Sequence, residues 1–436
     1  MTNTDGAKLN PEAARIIDKI NKDELVQLVL DLCNIDSPVG FEKDVLEFIH
    51  SWMEREGLAP KKIGMFEDRY NIVGTLKGKG KGCALLFNAH TDTTLSSEDT
   101  WIQANVADPI WHSAWLEDGR LVGYGTVNDK GPLAATMIAA KAIKDSGIQL
   151  DGDLLVTAVC NEICRNPVDE MQWPRYASRE IGAQYMVSHG VLADYAIVAE
   201  ASGHGYTWLE CGAAAFKLTI SLEGTYAYIP YLKRPTTIEN SPNAIVRMAK
   251  VIEAFEEWAY QFQQKYQFTF DGGTVIPKAS IVGIRGGDPT TCGSVIGVCS
   301  LYIKCFIPPD FNPITIAREL QEVMDRISVP VGIEAYAHWP GIEGKNLSVL
   351  TTAIDKAHLT VFNENTRPVI PPITSMWRDC NVFNQFSIPS VTYGPGGGEA
   401  GTLSKGNKFS MGIDELYQFV QSYIHIALDI CNRKKE

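Results

Sequence analysis

Short apolar runs alternate with helical patterns through the first half of the chain, and each run leads to a polar residue. The runs NIVGTL (71–76), CALLFNAH (83–90), DLLVTAVCNE (153–162) and DYAIVAE (194–200) have the length of buried strands. The first two runs follow each other closely, whereas an Ala-rich helical segment lies between the second and third runs and a further helical segment between the third and fourth. Strands that alternate with helices form α/β folds, in which most strands of the sheet are parallel. We therefore predict an α/β fold with a mostly parallel sheet flanked by helices.

The pattern changes around residue 213, where a second series of elements begins. AAFKLTISLEG alternates as a half-exposed strand does, and the following elements complete a strand-helix-strand-strand-helix-strand order up to about residue 338. A chain of 436 residues is also longer than a single core usually supports. We predict one domain from residues 1–213 and 339–436, interrupted by an inserted α+β domain at 214–338.

The composition excludes several classes of partner. The formal net charge is −13 and no block of Lys or Arg is present, so neither nucleic acid nor an acidic membrane is expected as a partner. The N-terminal segment lacks an apolar signal region, and no apolar run reaches about 18 residues. These features predict a cytoplasmic protein. The 10 cysteines include no CxxC pair and are predicted to be mostly buried free thiols.

Imidazole and carboxylate side chains stand at the ends of the predicted strands or in the loops that follow. His90 and Asp92 end the second run, Asp129 begins an Ala-rich helix, and Glu162 and Glu200 end the third and fourth runs. Because the carboxyl ends of parallel strands lie along one edge of a sheet, we expect these side chains to converge. One imidazole with several carboxylates is typical of a site for Zn²⁺, Mn²⁺ or Co²⁺.

Each of these residues also has an ordinary structural explanation when it is taken alone. His90 could be a hydrogen-bonded loop residue, and Asp129 could cap its helix. Glu162 and Glu200 could be solvated strand ends. The joint pattern favours the metal site, because loop polarity does not explain why metal-type ligands follow so many strands. In that arrangement Asp92 would orient the imidazole of His90 rather than bind the ion.

Several motifs occur in an order that is similar to a known family. NAHTDT, GYGTVNDKGPLAA and IPSVTYGPG follow one another as in the aminoacylase, acetylornithine deacetylase and carboxypeptidase G family of metallopeptidases. The resemblance implies a catalytic α/β domain with an inserted lid domain, a homodimer or higher homo-oligomer formed through the lid, and hydrolysis of amide C–N bonds at two metal ions. It implies that His90, Asp129 and Glu200 hold one ion, with Asp129 bridging to a second that Glu162 binds. Asp92 would orient His90.

The sequence departs from the family pattern at four positions. Asn161 stands where the family has a general-base acid, Met411 where it has a metal-binding His, Tyr228 where it has a lid His, and Cys305 where it has a lid Arg. An amide cannot accept a proton from water at neutral pH. We therefore predict a remodelled site with one divalent ion, Mn²⁺, Zn²⁺ or Co²⁺, and with Glu162 as the catalytic base assisted by Asp92.

The substrate is predicted to be a small carboxylate-bearing molecule. One branch of the family hydrolyses the aryl C–N bond of a nitro-substituted anthranilate with release of ammonia, and the departures are similar to what that chemistry needs. Arg378 could pair the carboxylate bidentately, with Tyr228, Trp377 and Asn161 as further substrate contacts. Alternatively, Arg378 could pair with Asp379, and Trp377 could belong to the core.

Three functions remain open at this point. The first is hydrolytic deamination of a nitroanthranilate-type amine, and the second is cleavage of N-acyl amino acids or peptides. The third is a non-catalytic binding protein on the same scaffold. The Gly-rich stretch 393–401 lacks the Lys-Ser/Thr sequel of a nucleotide-binding P-loop, and the resemblance implies that it lies beside the substrate.

Overall fold

The structure is a computed structural model that describes residues 10–94, 108–222, 227–234, 236–290, 293–295, 297–396 and 409–435. Most of the Gly-rich stretch 393–401 therefore lies outside the described residues. The helices are α1 (Pro11–Ile17), α2 (Lys22–Cys33), α3 (Lys43–Arg55), α4 (Lys130–Asp145), α5 (Ala183–Ser188), α6 (Ala244–Lys265), α7 (Ile314–Arg326), α8 (Ser348–Phe362), α9 (Pro371–Thr374), α10 (Cys380–Gln385) and α11 (Ile413–Cys431).

The strands vary from two to ten residues in length. They are β1 (Lys61–Ile63), β2 (Asn71–Leu76), β3 (Leu85–His90), β4 (Trp115–Glu117), β5 (Arg120–Val122), β6 (Leu154–Val159), β7 (Tyr195–Val198), β8 (Tyr206–Thr207), β9 (Gly212–Ser221), β10 (Ala227–Tyr228), β11 (Phe268–Phe270), β12 (Gly273–Val275), β13 (Lys278–Gly286), β14 (Ser294–Val295), β15 (Val298–Ile307), β16 (Gly332–Trp339), β17 (Ser390–Tyr393) and β18 (Ser410–Gly412).

The chain divides into two compact units. The first comprises residues 1–209, 343–373 and 378–436, and the second comprises residues 210–342 and 374–377. Among the described residues, no helix is long and apolar enough to cross a membrane.

The first unit is built on a seven-stranded sheet with the order β1-β2-β6-β3-β7-β17-β8. The four central strands β6, β3, β7 and β17 are parallel to their neighbours in this group. The outer pairs β1 with β2, β2 with β6, and β17 with β8 are antiparallel. The α/β class is thus confirmed, and the sheet is mixed because antiparallel strands extend both sides of the parallel centre.

Strand β3 shows how this sheet separates core from chemistry. Leu85, Phe87 and Ala89 belong to the large hydrophobic core of the first unit. Successive side chains of a strand point to opposite faces, so Asn88 and His90 point to the other face. Both are buried, although they are polar. One face of this strand is apolar and packs into the core. The other face carries polar groups near the end of the strand, and this arrangement positions a site there.

Helix α4 begins directly after Asp129 and packs on β3, on β6 and on helix α11. Its sequence KGPLAATMIAAKAIKD is buried over most of its length. Small Ala side chains suit this position because the helix has neighbours on several sides, and larger side chains would hold them apart. This packing fixes the start of the helix, and therefore Asp129, relative to β3.

The second unit contains a four-stranded antiparallel sheet with the order β13-β15-β9-β16. Helices α6 and α7 pack against each other and against this sheet. Strand β9 and helix α6 contribute Phe216, Leu218, Met248 and Phe255 to a separate hydrophobic core. The main elements follow the predicted strand-helix-strand-strand-helix-strand order, and short pairs β10–β14 and β11–β12 are added to it.

Candidate active site

The carboxyl ends of the central parallel strands bring three predicted site residues to one edge of the first unit. His90 is the last residue of β3, Glu162 follows β6 by three residues, and Glu200 follows β7 by two. Their exposed fractions are 1%, 7% and 6%, respectively. None of the three is therefore a solvated loop residue. Buried ionisable groups of this kind need partners or a bound ion.

Asp92 connects His90 to the turn that carries Glu162. Its Oδ1 accepts from the N–H of Glu162 at 3.1 Å, and its Oδ2 accepts from the N–H of Ile163 at 2.9 Å. The same Oδ1 lies 3.6 Å from Nδ1 of His90. Burial raises the pKa of Asp92, but the contact with His90 and the two N–H donors bring that pKa below its usual value. Asp92 is therefore ionised and holds the imidazole in place.

The pKa of His90 is shifted in the opposite direction from that of Asp92. Burial lowers the pKa of its imidazole, but Asp92, Asp129 and Glu162 together raise that pKa well above the usual value. Its Nε2 lies 2.9 Å from Oδ1 of Asn128 and 4.0 Å from a carboxylate oxygen of Glu162. The imidazole therefore sits in a strongly negative environment, which is suited to a cation.

Asp129 is the residue directly before α4, but its side chain does not cap the helix. Its Oδ2 instead accepts from the backbone N–H of His90 at 3.1 Å. Its Oδ1 is buried without a hydrogen-bond partner. Burial, together with the negative charges of Glu200 and Glu162, raises the pKa of Asp129 well above its usual value. Such a carboxylate is unfavourable unless a cation lies nearby.

Glu200 is held by a buried arginine. Its Oε1 lies 3.0 Å from Nε of Arg378, while its Oε2 is buried without a hydrogen-bond partner. Arg378 also donates from Nη1 to the carbonyl of Ile373 at 2.8 Å. Close packing completes the arrangement, because a Cβ on Gly394 would lie only 2.4 Å from the carbonyl oxygen of Glu200. Arg378 thus forms a buried ion pair with Glu200.

Glu162 has a raised affinity for a proton. Burial and the nearby charge of Glu200 raise its pKa to about 8. Its own backbone carbonyl accepts from Nε of Arg179 at 2.7 Å, which fixes the turn. A carboxyl group whose pKa lies near neutrality is suited to take up and return protons.

Both polar atoms of the Asn161 side-chain amide form hydrogen bonds. Its Oδ1 accepts from Nη2 of Arg69 at 2.8 Å, and its Nδ2 donates to the carbonyls of Ala177 and Ser178. Arg69 in turn makes two hydrogen bonds to the buried carboxylate of Glu42, at 2.7 and 3.0 Å. The amide that stands at the position of the family's general base is therefore part of a buried ion-pair network.

Three further polar residues lie at this edge. Nδ2 of Asn88 donates to Oδ2 of Asp379 at 2.9 Å, and Asn128 contacts His90 as described. Burial and the charge of Glu200 raise the pKa of Asp379 to about 6. Asn88 could have been found from the sequence, because an Asn two residues before His90 in an apolar strand points to the same face as His90. Asp379 could not, because only the folded chain brings it near this edge.

The remaining residues that the sequence singled out are not among the contacts described above. Tyr228 and Trp377 belong to the second unit, where Tyr228 is 51% exposed and Trp377 is 5% exposed. Met411 is buried in β18 and pairs with Leu121 of β5. Cys305 is buried in β15. The roles predicted for Tyr228 and Trp377 as substrate contacts remain predictions.

Residues at the strand ends fit a divalent metal ion in their chemistry. The unpartnered oxygens of Asp129 and Glu200, together with the imidazole of His90, are donors that Zn²⁺, Mn²⁺ and Co²⁺ accept. In the described part of the chain, however, these three donor atoms are not all within 4.8 Å of one another. Binding an ion would therefore require movements of these side chains.

Fold and site together define a class of protein, an α/β metalloprotein. Its reactive edge, formed at the carboxyl ends of the central strands, carries imidazole and carboxylate donors suited to a metal ion. Residues 86–429 match Peptidase family M20/M25/M40, and the chain belongs to this family. The family predicted from the motifs is thereby confirmed. The protein is a metal-dependent hydrolase that cleaves C–N bonds.

Three similar proteins illustrate the range of this family. The N-formyl-4-amino-5-aminomethyl-2-methylpyrimidine deformylase of Bacillus subtilis (strain 168) is 25% identical over 95% of this chain and 96% of its own length. The probable succinyl-diaminopimelate desuccinylase of Staphylococcus aureus (strain Mu50) is 22% identical over 64% of this chain and 63% of its own. The crystal structure of human carnosine dipeptidase 1 matches with a TM-score of 0.68 at 14% identity, covering 96% of this chain and 99% of that one.

Replacing Arg378 by Met tests whether this residue positions Glu200 or binds substrate. We expect the affinity for a divalent ion to fall about 10- to 100-fold, because the ligand Glu200 loses the ion-pair partner that orients it. Isothermal titration with Zn²⁺ or Mn²⁺ measures the change. Arg433→Met is the matched control, since Arg433 is a partly exposed arginine paired with Asp429 at 2.6 Å. An unchanged metal affinity with a raised KM would instead assign Arg378 to the substrate.

Proposed function

We propose that the protein hydrolyses the amide C–N bond of a small N-acyl amine at the strand-end edge of its first unit. The observation that carries the proposal is the position of Glu162. Its buried carboxylate lies 4.0 Å from Nε2 of His90, and its pKa is raised to about 8. A proton acceptor is thus available beside the atoms that would hold the metal ion, at the place where Asn161 cannot serve.

His90, Asp129 and Glu200 would hold one divalent ion, Mn²⁺, Zn²⁺ or Co²⁺. When bound, such an ion lowers the pKa of water and polarises a carbonyl oxygen. Glu162 would accept the proton of the attacking water and return it to the leaving nitrogen. Asp92 would keep the imidazole of His90 oriented through its contact at 3.6 Å. Anomalous scattering, measured at the X-ray absorption edge of the metal, tests whether one ion or two bind at the strand ends.

The named relatives support an amide substrate. The deformylase and the desuccinylase each remove a small acyl group from an amine, according to their names. The deformylase matches along almost the whole length of both chains, so its substrate class is the better guide. We therefore propose an N-formyl or similarly small acyl group on an amine that bears an aromatic or heteroaromatic ring as the first class to examine.

Hydrolytic deamination of a nitroanthranilate-type aromatic amine is the second candidate. Two departures from the family pattern favour it, because Asn161 is held in the Arg69 network and Met411 offers only a buried thioether. The proposal also requires a cation for the carboxylate of the substrate. Arg378 is already paired with Glu200, which makes this candidate the weaker of the two.

We also propose that residues 1–213 and 339–436 form the catalytic domain, and that the inserted domain at 214–338 acts as a lid and as the surface of a homodimer. Support comes from β13, which is an edge strand of its sheet and exposes Val282 and Ile284 by 60% and 51%. An exposed edge strand with apolar side chains readily pairs with another chain. Analytical ultracentrifugation of the full chain measures the oligomeric state.

A substrate panel distinguishes the two reactions. We expect the protein loaded with Mn²⁺, Zn²⁺ or Co²⁺ to release free amine and formate from N-formyl amines that bear an aromatic or heteroaromatic ring, including N-formyl-4-amino-5-aminomethyl-2-methylpyrimidine. The same preparations are incubated with 2-amino-5-nitrobenzoate, and ammonia is assayed. Ammonia release without any deformylation would replace the first candidate by the second. If no compound is turned over with any of the ions, both candidates fail and a binding function is favoured.

A further inference from the structure

Two buried histidines of the first unit face each other within an aromatic cluster. His204 lies in the loop after β7, and His358 lies in α8. Their rings meet edge to face with centroids 5.6 Å apart. Phe362 stacks on His358 at 4.4 Å and meets the edge of His204 at 4.9 Å, and Phe419 contacts His204 at 5.2 Å. The two imidazoles are thus shielded from water on several sides.

One ring nitrogen of each histidine is bonded, and the other is not. Nε2 of His204 lies 2.9 Å from Oε1 of Glu415, and Nδ1 of His358 lies 2.8 Å from the hydroxyl of Tyr393. Nδ1 of His204 and Nε2 of His358 are both buried without a hydrogen-bond partner. Buried polar atoms are nearly always satisfied. Two unpartnered nitrogens on rings that contact each other indicate a ligand between the rings.

The bonded nitrogens determine which nitrogens carry lone pairs. The carboxylate of Glu415 can only accept, so Nε2 of His204 carries the proton and Nδ1 is bare in the neutral ring. The hydroxyl of Tyr393 also contacts Oγ of Ser422 at 3.0 Å, so it can donate there and accept from His358. Burial and the neighbouring His204 lower the pKa of His358 to about 4, which keeps its imidazole neutral. This is the arrangement of metal-binding histidines, whose second nitrogen is held by an acceptor.

Glu364 supplies a third donor. One of its carboxylate oxygens and one ring nitrogen of each histidine all lie within 4.8 Å of one another. Arg367 donates to Oε1 of Glu364 at 2.7 Å, which leaves Oε2 for an ion. The backbone N–H of Arg367 also donates to the carbonyl of His204 at 3.0 Å, so this segment is fastened to the loop. Glu364 is exposed, and an ion could therefore enter from solvent.

We propose that His204, His358 and Glu364 bind a divalent transition-metal ion, Zn²⁺ first, at a site whose ligands are all different from those at the strand-end edge. Two imidazoles and one carboxylate are donors that Zn²⁺ accepts, whereas Mg²⁺ and Ca²⁺ prefer oxygen ligands. The ion would fasten the loop that follows Glu200 to the end of α8. Its role is structural, since it holds the backbone that carries a ligand of the reactive edge.

Metal content in a set of variants of the full chain tests the proposal. Each protein is incubated with Zn²⁺, freed of excess metal, and measured by inductively coupled plasma mass spectrometry. We expect about two ions per wild-type chain, one at each set of ligands. Glu364→Gln should lower the zinc affinity of the new site at least about tenfold, since a ligand is lost. Glu253→Gln is the control, because Glu253 is an exposed glutamate paired with Lys250 at 2.9 Å.

A His90→Asn background isolates the new site from the reactive edge. This variant should still bind one Zn²⁺, and Co²⁺ in its place should give a d–d absorption spectrum that disappears on adding Glu364→Gln or His358→Gln. Glu364→Gln keeps the test valid if the buried His358→Gln variant fails to fold. Unchanged metal content and spectrum in both double variants would overturn the proposal and leave an ordered water between the imidazoles. Metal binding and catalysis at the reactive edge are tested separately, by turnover and by the loss of zinc in His90→Asn.

Discussion

Replacing Glu162 by Gln is expected to lower kcat/KM by about 10²- to 10⁴-fold, the range typical of losing a general base. Gln has nearly the same shape and keeps the packing of the buried side chain, but its amide cannot accept a proton from water. The fold and most of the metal affinity should persist, because His90, Asp129 and Glu200 remain. The measurement is steady-state turnover of whichever substrate the panel identifies, beside metal content and circular dichroism.

The control for this variant is Glu47→Gln. Glu47 is a partly exposed glutamate that pairs with Lys62 at 2.6 Å, and its loss should leave turnover unchanged. Turnover of Glu162→Gln within a few-fold of the wild type would remove Glu162 as the base. A variant that loses both turnover and its metal ion would instead assign Glu162 to the metal, as the family pattern implies.

The second large effect is expected from breaking the buried pair of Arg69 and Glu42. Arg69→Met should lower the free energy of unfolding by about 3–5 kcal/mol, because it leaves a buried carboxylate without its cation. Both side chains of this pair are almost completely buried, at 1% and 0% exposure. The variant also removes the donor to Asn161, so the turn that carries Glu162 loses a constraint. Urea unfolding measures stability, and turnover measures the effect on the turn.

An exposed pair and a double variant control this experiment. Lys62→Met breaks the ion pair with Glu47 on the surface, where a loss below about 1 kcal/mol is expected. Combining Arg69→Met with Glu42→Leu should recover much of the lost stability, because no unpaired charge remains buried. If Arg69→Met costs no more stability than Lys62→Met, the buried pair does not stabilise the fold as expected, and unchanged turnover would show that the network around Asn161 does not hold the turn.

The strands that carry the site could be predicted because their signal is local. β2 and β3 match the predicted runs closely, and β6 and β7 lie within them, since each is a short apolar segment with its own boundaries. Parallel strands end at one edge, so the sequence alone was enough to expect His90, Glu162 and Glu200 together. The antiparallel pairing of β2 with β6 could not be expected, because an apolar run does not encode the direction of its neighbour.

The partners of the site residues could not be predicted in the same way. Asn161 is held by Arg69 and Glu42, and Glu200 is held by Arg378. Each partner is distant in sequence and leaves no periodic pattern around the residue that it contacts. Sequence reasoning considered Arg378 for a substrate carboxylate or for Asp379. Only the packing of the folded chain shows that its buried charge is matched by Glu200.

Local pattern and side-chain chemistry were thus enough to reach the α/β class and the residues at the strand ends, and the resemblance of the motifs added the family. The alternation of faces along a strand acts over a few residues, so it can be recognised directly in the sequence. Tertiary structure decided which buried charges compensate one another and which polar atoms remain without a partner. Those outcomes depend on contacts such as His204 with His358, which are separated by most of the second unit in sequence. Long-range packing brings such groups together, and no local preference records it.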